Sequence, residues 1–264
     1  MRAVTTEEIE QYQKNGFVVL ENLIDADELE RWRDAVSTAV EHRTSASPRE
    51  AATAEVSEYY QRVFVQRVNL WQTDEAIRDL VLDERIGRLA AELAGIDGIR
   101  LWHDQALIKP ARANPTGWHL DVPYWSFTSP DALSMWLALD DATPENGCLY
   151  FIPGSHLARK YDNVEIGKDL GALFDVYPEW RDIEPVAAPM RAGSAAFHNG
   201  LTAHGAGANM TARPRRAMTL QFMPEGATFN GTPHDIVYSP EVLARLTVGD
   251  PLNDETINPL LWSR

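Results

Sequence analysis

Apolar residues recur at helical spacing before Gly95 and in short alternating or continuous runs after it, so the chain changes texture there. Thr5-x-x-Glu8 has the form of a capping box, and Asn15-Gly16 offers a left-handed stop, which predicts a short first helix. Phe17 to Leu20 reads as a strand. Asp25-x-x-Glu28 opens a second helix, with Leu29, Trp32, Val36 and Val40 on one face. Residues 44–56 are small and polar and predict a mobile loop beside the functional face. Ile77, Leu80, Val81, Ile86, Leu89 and Leu93 predict two short helices broken near Asp83. Beyond Gly95, strand-like runs occupy 99–109, 117–122, 132–140, 148–152, 194–198 and 216–223, punctuated by Pro, Gly and Asn. A charged, partly aromatic insertion at 157–185 interrupts them. The pattern predicts one α+β domain over 1–264, mainly β. Residues 1–95 form a helical cover, packed on one sheet of a sandwich or jelly-roll core at 96–264.

Composition narrows the class. With 44% hydrophobic and 24% charged residues, the chain is an ordinary globular sequence. A net charge of −15 argues against nucleic-acid or anionic-membrane partners. The single Cys148 excludes an internal disulfide and a cysteine-rich metal site. No apolar run is long enough to span a bilayer, and MRAVTTEEIEQYQ lacks the apolar centre of a signal peptide. The expectation is a cytoplasmic enzyme or binding protein, monomer or homodimer, acting on a small molecule.

The chemistry concentrates around His119-x-Asp121. In an extended segment these side chains share a face about 7 Å apart. An imidazole and a carboxylate so placed begin a two-His-one-carboxylate metal site with open positions. Seven histidines are present, at 42, 103, 119, 156, 198, 204 and 234. The second imidazole should sit on a later strand returning beside the first, and His198 and His204 both qualify. His204 is preferred, because Gly205-Ala206-Gly207 permits close approach and Arg215 follows eleven residues later. Arg215, Ala217, Thr219 and Gln221 share one face of their strand; Arg216, Met218, Leu220 and Phe222 share the other. A guanidinium on the inward face calls for an anion, and its fork suits a carboxylate.

With these residues in view, the chain resembles the phytanoyl-CoA dioxygenase family of Fe(II)/2-oxoglutarate-dependent oxygenases. The resemblance rests on G-F-V-V-L near the N-terminus, W-H-x-D at 118–121, W-L-A-L-D-D-A-T-P-E-N-G at 136–147 and I-P-G-S-H at 152–156. It ends on H-G-x-G-x-N with R-P-R-R-A at 204–217. The resemblance implies a double-stranded β-helix, the metal ligands His119, Asp121 and His204, and Arg215 on the far carboxylate of 2-oxoglutarate. Gln105, Trp136 and Thr219 are further candidates for the cosubstrate site. The implied reaction uses Fe(II), 2-oxoglutarate and O2 to hydroxylate an unactivated C–H, with release of succinate and CO2. Asp121 disfavours halogenation, which would need the carboxylate's coordination position.

Two positions depart from the family pattern. Leu120 stands where Gln is common, and Ala206 where Ser often helps hold the cosubstrate, so a hydroxyl from Thr202 or Thr219 would have to substitute. Blander roles are assigned elsewhere: surface ion pairs for Arg213 and Arg216, a turn for His156, surface positions for His42 and His234. Asn146-Gly147 reads as a hairpin turn without chemistry. Among Trp118, Tyr124, Trp125 and Phe127, one or two should line a pocket. Substrate contacts are expected from Arg67, Asn69, Trp71 and the 157–185 insertion. The acidic balance disfavours a polyanionic CoA ester. The alternatives are a cupin-like metal enzyme without 2-oxoglutarate and a catalytically silent small-molecule binder.

Overall fold

A computed structural model describes residues 1–44, 59 and 62–264. The loop expected at 44–56 falls almost wholly outside the described residues. Helix α1 (Thr6–Asn15) has its capping box formed, and Gly16 closes it at φ 82°. Strand β1 (Phe17–Leu20) follows, then α2 (Ala26–Thr44), whose entry is fixed by the Glu28 amide donating to Asp25 Oδ1 at 2.8 Å. Helices α3 (Glu75–Val81) and α4 (Glu84–Ala94) are separated by Asp83, which caps the second. The expected break is there, because Asp83 prefers accepting the Arg85 amide to continuing the helix.

The remaining strands are β2 (Val65–Val68), β3 (Gly98–Lys109), β4 (Thr116–His119), β5 (Leu133–Ala138), β6 (Leu149–Phe151), β7 (Val186–Ala188), β8 (Ala195–Asn199), β9 (His204–Ala206), β10 (Arg215–Pro224) and β11 (Leu260–Ser263). Among the described residues they form two antiparallel sheets. The larger runs β1-β8-β5-β10-β3-β11, with β2 also paired to β3; the smaller runs β4-β9-β6-β7. The sequence pattern missed β2, β7, β9 and β11, each three or four residues long and too short to show a period.

Period two on the long strands sorts side chains between two layers. Leu101, Leu133, Met135, Leu137, Phe197, Met218, Leu220 and Phe222 pack against Trp32, Val36, Ile77, Ile86 and Leu89 of the helices. The alternate positions Trp136, Ala138, Ala196 and Ala217 face Leu149 and Phe151 of the smaller sheet. The same inner face lines a cavity between the sheets with Ser134, Trp136, His198, Thr219 and Gln221. The expected strand at 117–122 is shorter than the sequence suggested. It ends at His119, and Asp121 begins a tight turn whose amides at Asp121 and Val122 both donate to Gly200 O.

Candidate metal and cosubstrate site

His119 and His204 are direct partners in the β4–β9 pairing, so two imidazoles from distant segments stand side by side. Gly205 makes this pairing possible: a Cβ there would lie 2.9 Å from Thr116 O. Asp121 joins them by the turn rather than by strand alternation. Its Oδ1 is 3.7 Å from Nε2 of each histidine, and the three donor atoms lie within 4.8 Å of one another. His119 Nδ1 donates to Gly117 O at 2.9 Å and His204 Nδ1 to Thr202 O at 3.0 Å. Those bonds fix the tautomer and leave both Nε2 lone pairs facing the gap. Burial pushes both imidazoles below their ordinary range, His204 well below it, so they are neutral and able to ligate.

The other oxygen of Asp121 is held from behind. Ser134 Oγ donates to Oδ2 at 2.8 Å and His198 Nε2 at 3.0 Å. Ser134 and His198 are themselves cross-strand partners on β5 and β8, which places both donors at one point. Burial opposes ionisation of Asp121, but the charge that His204 carries when protonated, then the His198 hydrogen bond, outweigh it, so the carboxyl lies below its usual range and is ionised before the histidines lose their protons. His198 is thereby engaged with the carboxylate and stands outside the group of three that converge. This geometry separates the two candidate histidines that the sequence left in competition.

A cavity of about 460 Å³ extends from this cluster along β3 and β10. Arg215, Gln105, Trp136 and Thr219 all line it. Arg215 is 2% exposed and its guanidinium carbon sits 4.7 Å over the Trp136 ring. One nitrogen, Nη2, donates to Gly147 O at 2.9 Å, while Nε and Nη1 have no partner. Two unsatisfied, buried donors on a cation call for an anion, since the one carbonyl on Nη2 carries no charge to balance it. Burial lowers Arg215 to about 10, which leaves it charged at neutral pH. Arg216 points away and pairs with Asp140 at 2.8 Å, as its strand face required.

Several expectations change here. Gly147 is not a turn without chemistry: its carbonyl orients Arg215, and at φ 89° a Cβ would meet Gly207 O at 2.6 Å. His234 is not a surface residue; it lines the cavity, and burial lowers it to about 4. Arg67, Asn69 and Trp71 do not line the cavity, whereas their neighbours Phe64 and Gln66 do, and Trp71 belongs to the core. From the 157–185 segment Glu165 and Ile166 reach the cavity. Of the four aromatics around the motif, Tyr124 lines the cavity, Trp125 and Phe127 are core, and Trp118 packs against a separate buried cluster. His156 serves the turn, its Nε2 bonded to Gln13 O. Ser134, Gly147 and Lys109 were missed as site residues, and His198 was weighed only as a metal ligand, since only pairing across strands shows where they stand.

A family model described as phytanoyl-CoA dioxygenase matches residues 12–217. A curated relative is the probable alpha-ketoglutarate-dependent hypophosphite dioxygenase of Stutzerimonas stutzeri, 30% identical over 154 residues. That match covers 56% of this chain and 53% of the relative, about half its length. Among solved structures, the non-heme alpha ketoglutarate-dependent carbocyclase SnoK from nogalamycin biosynthesis is 29% identical. Its TM-score is 0.79, over 97% of this chain and 96% of that one. The epimerase SnoN, crystallised with Fe3+, alpha ketoglutarate and nogalamycin RO, is 28% identical with TM-score 0.75, over 97% of both chains.

Proposed function

The chain belongs to the phytanoyl-CoA dioxygenase family of Fe(II)/2-oxoglutarate-dependent enzymes, and we propose that it hydroxylates an unactivated C–H of a small, uncharged metabolite or natural product. In this reading residues 1–264 are one domain, and the two sheets are the halves of a double-stranded β-helix. The enzyme works in the cytoplasm.

His119 Nε2, His204 Nε2 and Asp121 Oδ1 would hold Fe(II). The donor set suits it: two neutral imidazoles and one carboxylate on one face leave open positions. Ser134 and His198 keep Oδ2 occupied, which leaves Oδ1 as the oxygen that would hold the metal. Arg215, whose Nε and Nη1 lack partners, would take the far carboxylate of 2-oxoglutarate, with Trp136 beneath it. Bound iron, with 2-oxoglutarate and O2, supplies the oxidising power and leaves succinate and CO2. Phe64, Leu107, Leu149, Ile166 and Ile236 give apolar walls that exclude water and hold a C–H dry. Asp121 keeps the coordination position that halogenation would need.

The lining cations are Lys109 and Arg215, which are register partners at one end. Gln221 lies about 20 Å farther along the strand, where the lining offers Gln221, His234 and Ile236 and no Lys or Arg. An uncharged substrate fits that end better than a polyanionic thioester. The observation that carries the proposal is the co-occurrence, in one cavity, of the three converging ligands and a buried guanidinium with two free donors. The test is succinate formation from 2-oxoglutarate by the Fe(II)-loaded protein, screened for stimulation by neutral metabolites. Turnover that ignores 2-oxoglutarate would favour the cupin-like alternative; ligand binding with no turnover would favour the silent binder.

A further inference from the structure

A row of polar side chains crosses the inner face of the larger sheet beside the His–Asp cluster. The register pairs His103 with Gln221, Gln221 with Ser134 and Ser134 with His198, so β3, β10, β5 and β8 each supply one residue. All four are buried, none more than 5% exposed. Polar groups taken out of water need partners. Half of the row has them, since Ser134 Oγ and His198 Nε2 hold Asp121. The other half does not: Gln221 Oε1 and His103 Nδ1 are buried and have no hydrogen bond among the described residues.

The orientation of Gln221 follows from its neighbour. Thr219 has one hydroxyl proton and donates it to Gln105 O at 3.2 Å, so toward Gln221 it can only accept. That proton, like the one Thr202 donates to Gly16 O at 2.9 Å, cannot replace the hydroxyl that Ala206 lacks. Gln221 Nε2 donates to Thr219 Oγ1 at 3.1 Å, which leaves Oε1 as an acceptor on a side chain that lines the cavity. His234 lines the cavity too, on a loop seated by Asn69 Nδ2 donating to Ile236 O at 3.0 Å. Its ring centroid lies 5.8 Å from that of His103, and its Nδ1 also lacks a partner. Burial lowers His103 to about 3 and His234 to about 4, so both are neutral at pH 7 and each offers one N–H and one lone pair.

A free acceptor beside a neutral imidazole suits a group that both donates and accepts. A ketone, an ether or a carboxylate would set its lone pairs against Oε1. We propose that Gln221 and His234 recognise the substrate, and that this substrate is a neutral molecule carrying a hydroxyl group, which donates to Gln221 Oε1 and accepts from His234. The inference deepens the proposed hydroxylation and rests on it. As cross-strand partners, Gln221 and Ser134 have Cβ atoms about 4.5–5.5 Å apart. Ser134 holds Asp121, so a hydroxyl anchored on Gln221 brings the carbons beside it next to the open metal positions. Oxidation is expected close to a hydroxyl that the substrate already carries.

The experiment compares matched pairs, each a cyclic alcohol and its O-methyl ether: cyclohexanol with methoxycyclohexane, and menthol with menthyl methyl ether. Binding to the full chain loaded with Ni(II) and 2-oxoglutarate is read by ligand-observed NMR titration. The wild type should bind each alcohol about tenfold more tightly than its ether, which has no donor for Oε1. Gln221→Met keeps the length of the side chain and removes the acceptor. It should weaken the alcohols alone and bring each pair within about twofold. The Kd values for Ni(II) and 2-oxoglutarate should not move, as they would if Gln221 only supported the sheet. His234→Phe should remove part of the preference, about threefold. No preference for the alcohols in the wild type, absence of binding included, overturns the proposal. So does a preference that survives Gln221→Met, or equal weakening of alcohol and ether. Should Gln221→Met not fold, the wild type and His234→Phe decide, and a preference untouched by His234→Phe overturns the pair. If the wild type takes up Ni(II) and 2-oxoglutarate without preferring alcohols, only this inference falls. If it does not bind 2-oxoglutarate, the proposed function falls, and the same pairs on the Ni(II)-loaded chain still decide the role of Gln221.

Discussion

At one end of the cavity a carboxylate and two neutral imidazoles converge, whereas at the other stand two cations with which no carboxylate among the described residues pairs. The first end is stable without its ligand because hydrogen bonds from Ser134 and His198 already satisfy Asp121 on its far side. The second is not: Arg215 keeps two buried donors free. The His–Asp end is held in shape by partners within the fold, whereas the cationic end keeps donors that nothing among the described residues satisfies. Ligand removal should therefore disturb the second end more than the first.

The largest effect should come from Asp121→Ala. It removes the only protein anion from the converging group, so Fe(II) affinity should fall by more than about a hundredfold, beyond what losing an outer hydrogen bond costs. Hydroxylation should collapse with it. The metal-free thermal midpoint should move by only a few degrees, on the order of 1 kcal/mol. Unchanged metal affinity in a titration would mean that this end is not the metal end.

Arg215→Ala comes next. It should raise the 2-oxoglutarate Kd by about 10- to 100-fold and leave Fe(II) affinity nearly untouched. An equal loss in both measurements would break the separation between the two ends. His198→Ala should weaken Fe(II) binding by roughly tenfold, because Oδ2 loses one of its two donors and becomes free to turn. Ser134→Ala should do less. If His198→Ala abolishes metal binding outright, His198 is a ligand and the arrangement described here is wrong.

The smallest effect belongs to the outer face of the same strand. Arg216→Ala breaks a pair with Asp140 that is roughly a third exposed, so it should cost less than about 1 kcal/mol and spare cosubstrate binding. Asp140 lies below its ordinary carboxylate range: burial opposes this, and the Arg216 hydrogen bonds outweigh it. A depressed carboxylate contributes stability above its unfolded pKa, near 4, and loses it as pH falls through the folded value. The difference between wild type and Arg216→Ala in melting temperature should therefore vanish under acid and be constant at neutral pH.

Much of the site was legible because the residues that meet at the cavity sit in compact motifs: His119-x-Asp121, His204 with its small neighbours, and Arg215 at the strand's start. Amphipathic helices, the capping box and the long strands were legible for the same reason, since local periodicity reports which side is buried. The choice of His204 over His198 was favoured by Gly205 and by the spacing to Arg215, yet both histidines end up within the same cluster, with ring centroids 4.3 Å apart. What each does follows from pairing: β9 puts His204 opposite His119, while β8 puts His198 beside Ser134 behind the carboxylate. The reason first given for Asp121 fails, since its place comes from a turn anchored on Gly200 O rather than from strand alternation.

The sequence by itself determined which residues could bind a metal and an anion, and which faces of helices and long strands were apolar. Chemistry of that kind is a property of side-chain type and local spacing. Tertiary structure alone decided that Lys109 stands beside Arg215, that Gly147 orients the guanidinium, and that His234 lines a cavity. Those placements depend on strands separated by up to a hundred residues or more coming into register. No local period carries that information, because register is set by the packing of whole sheets.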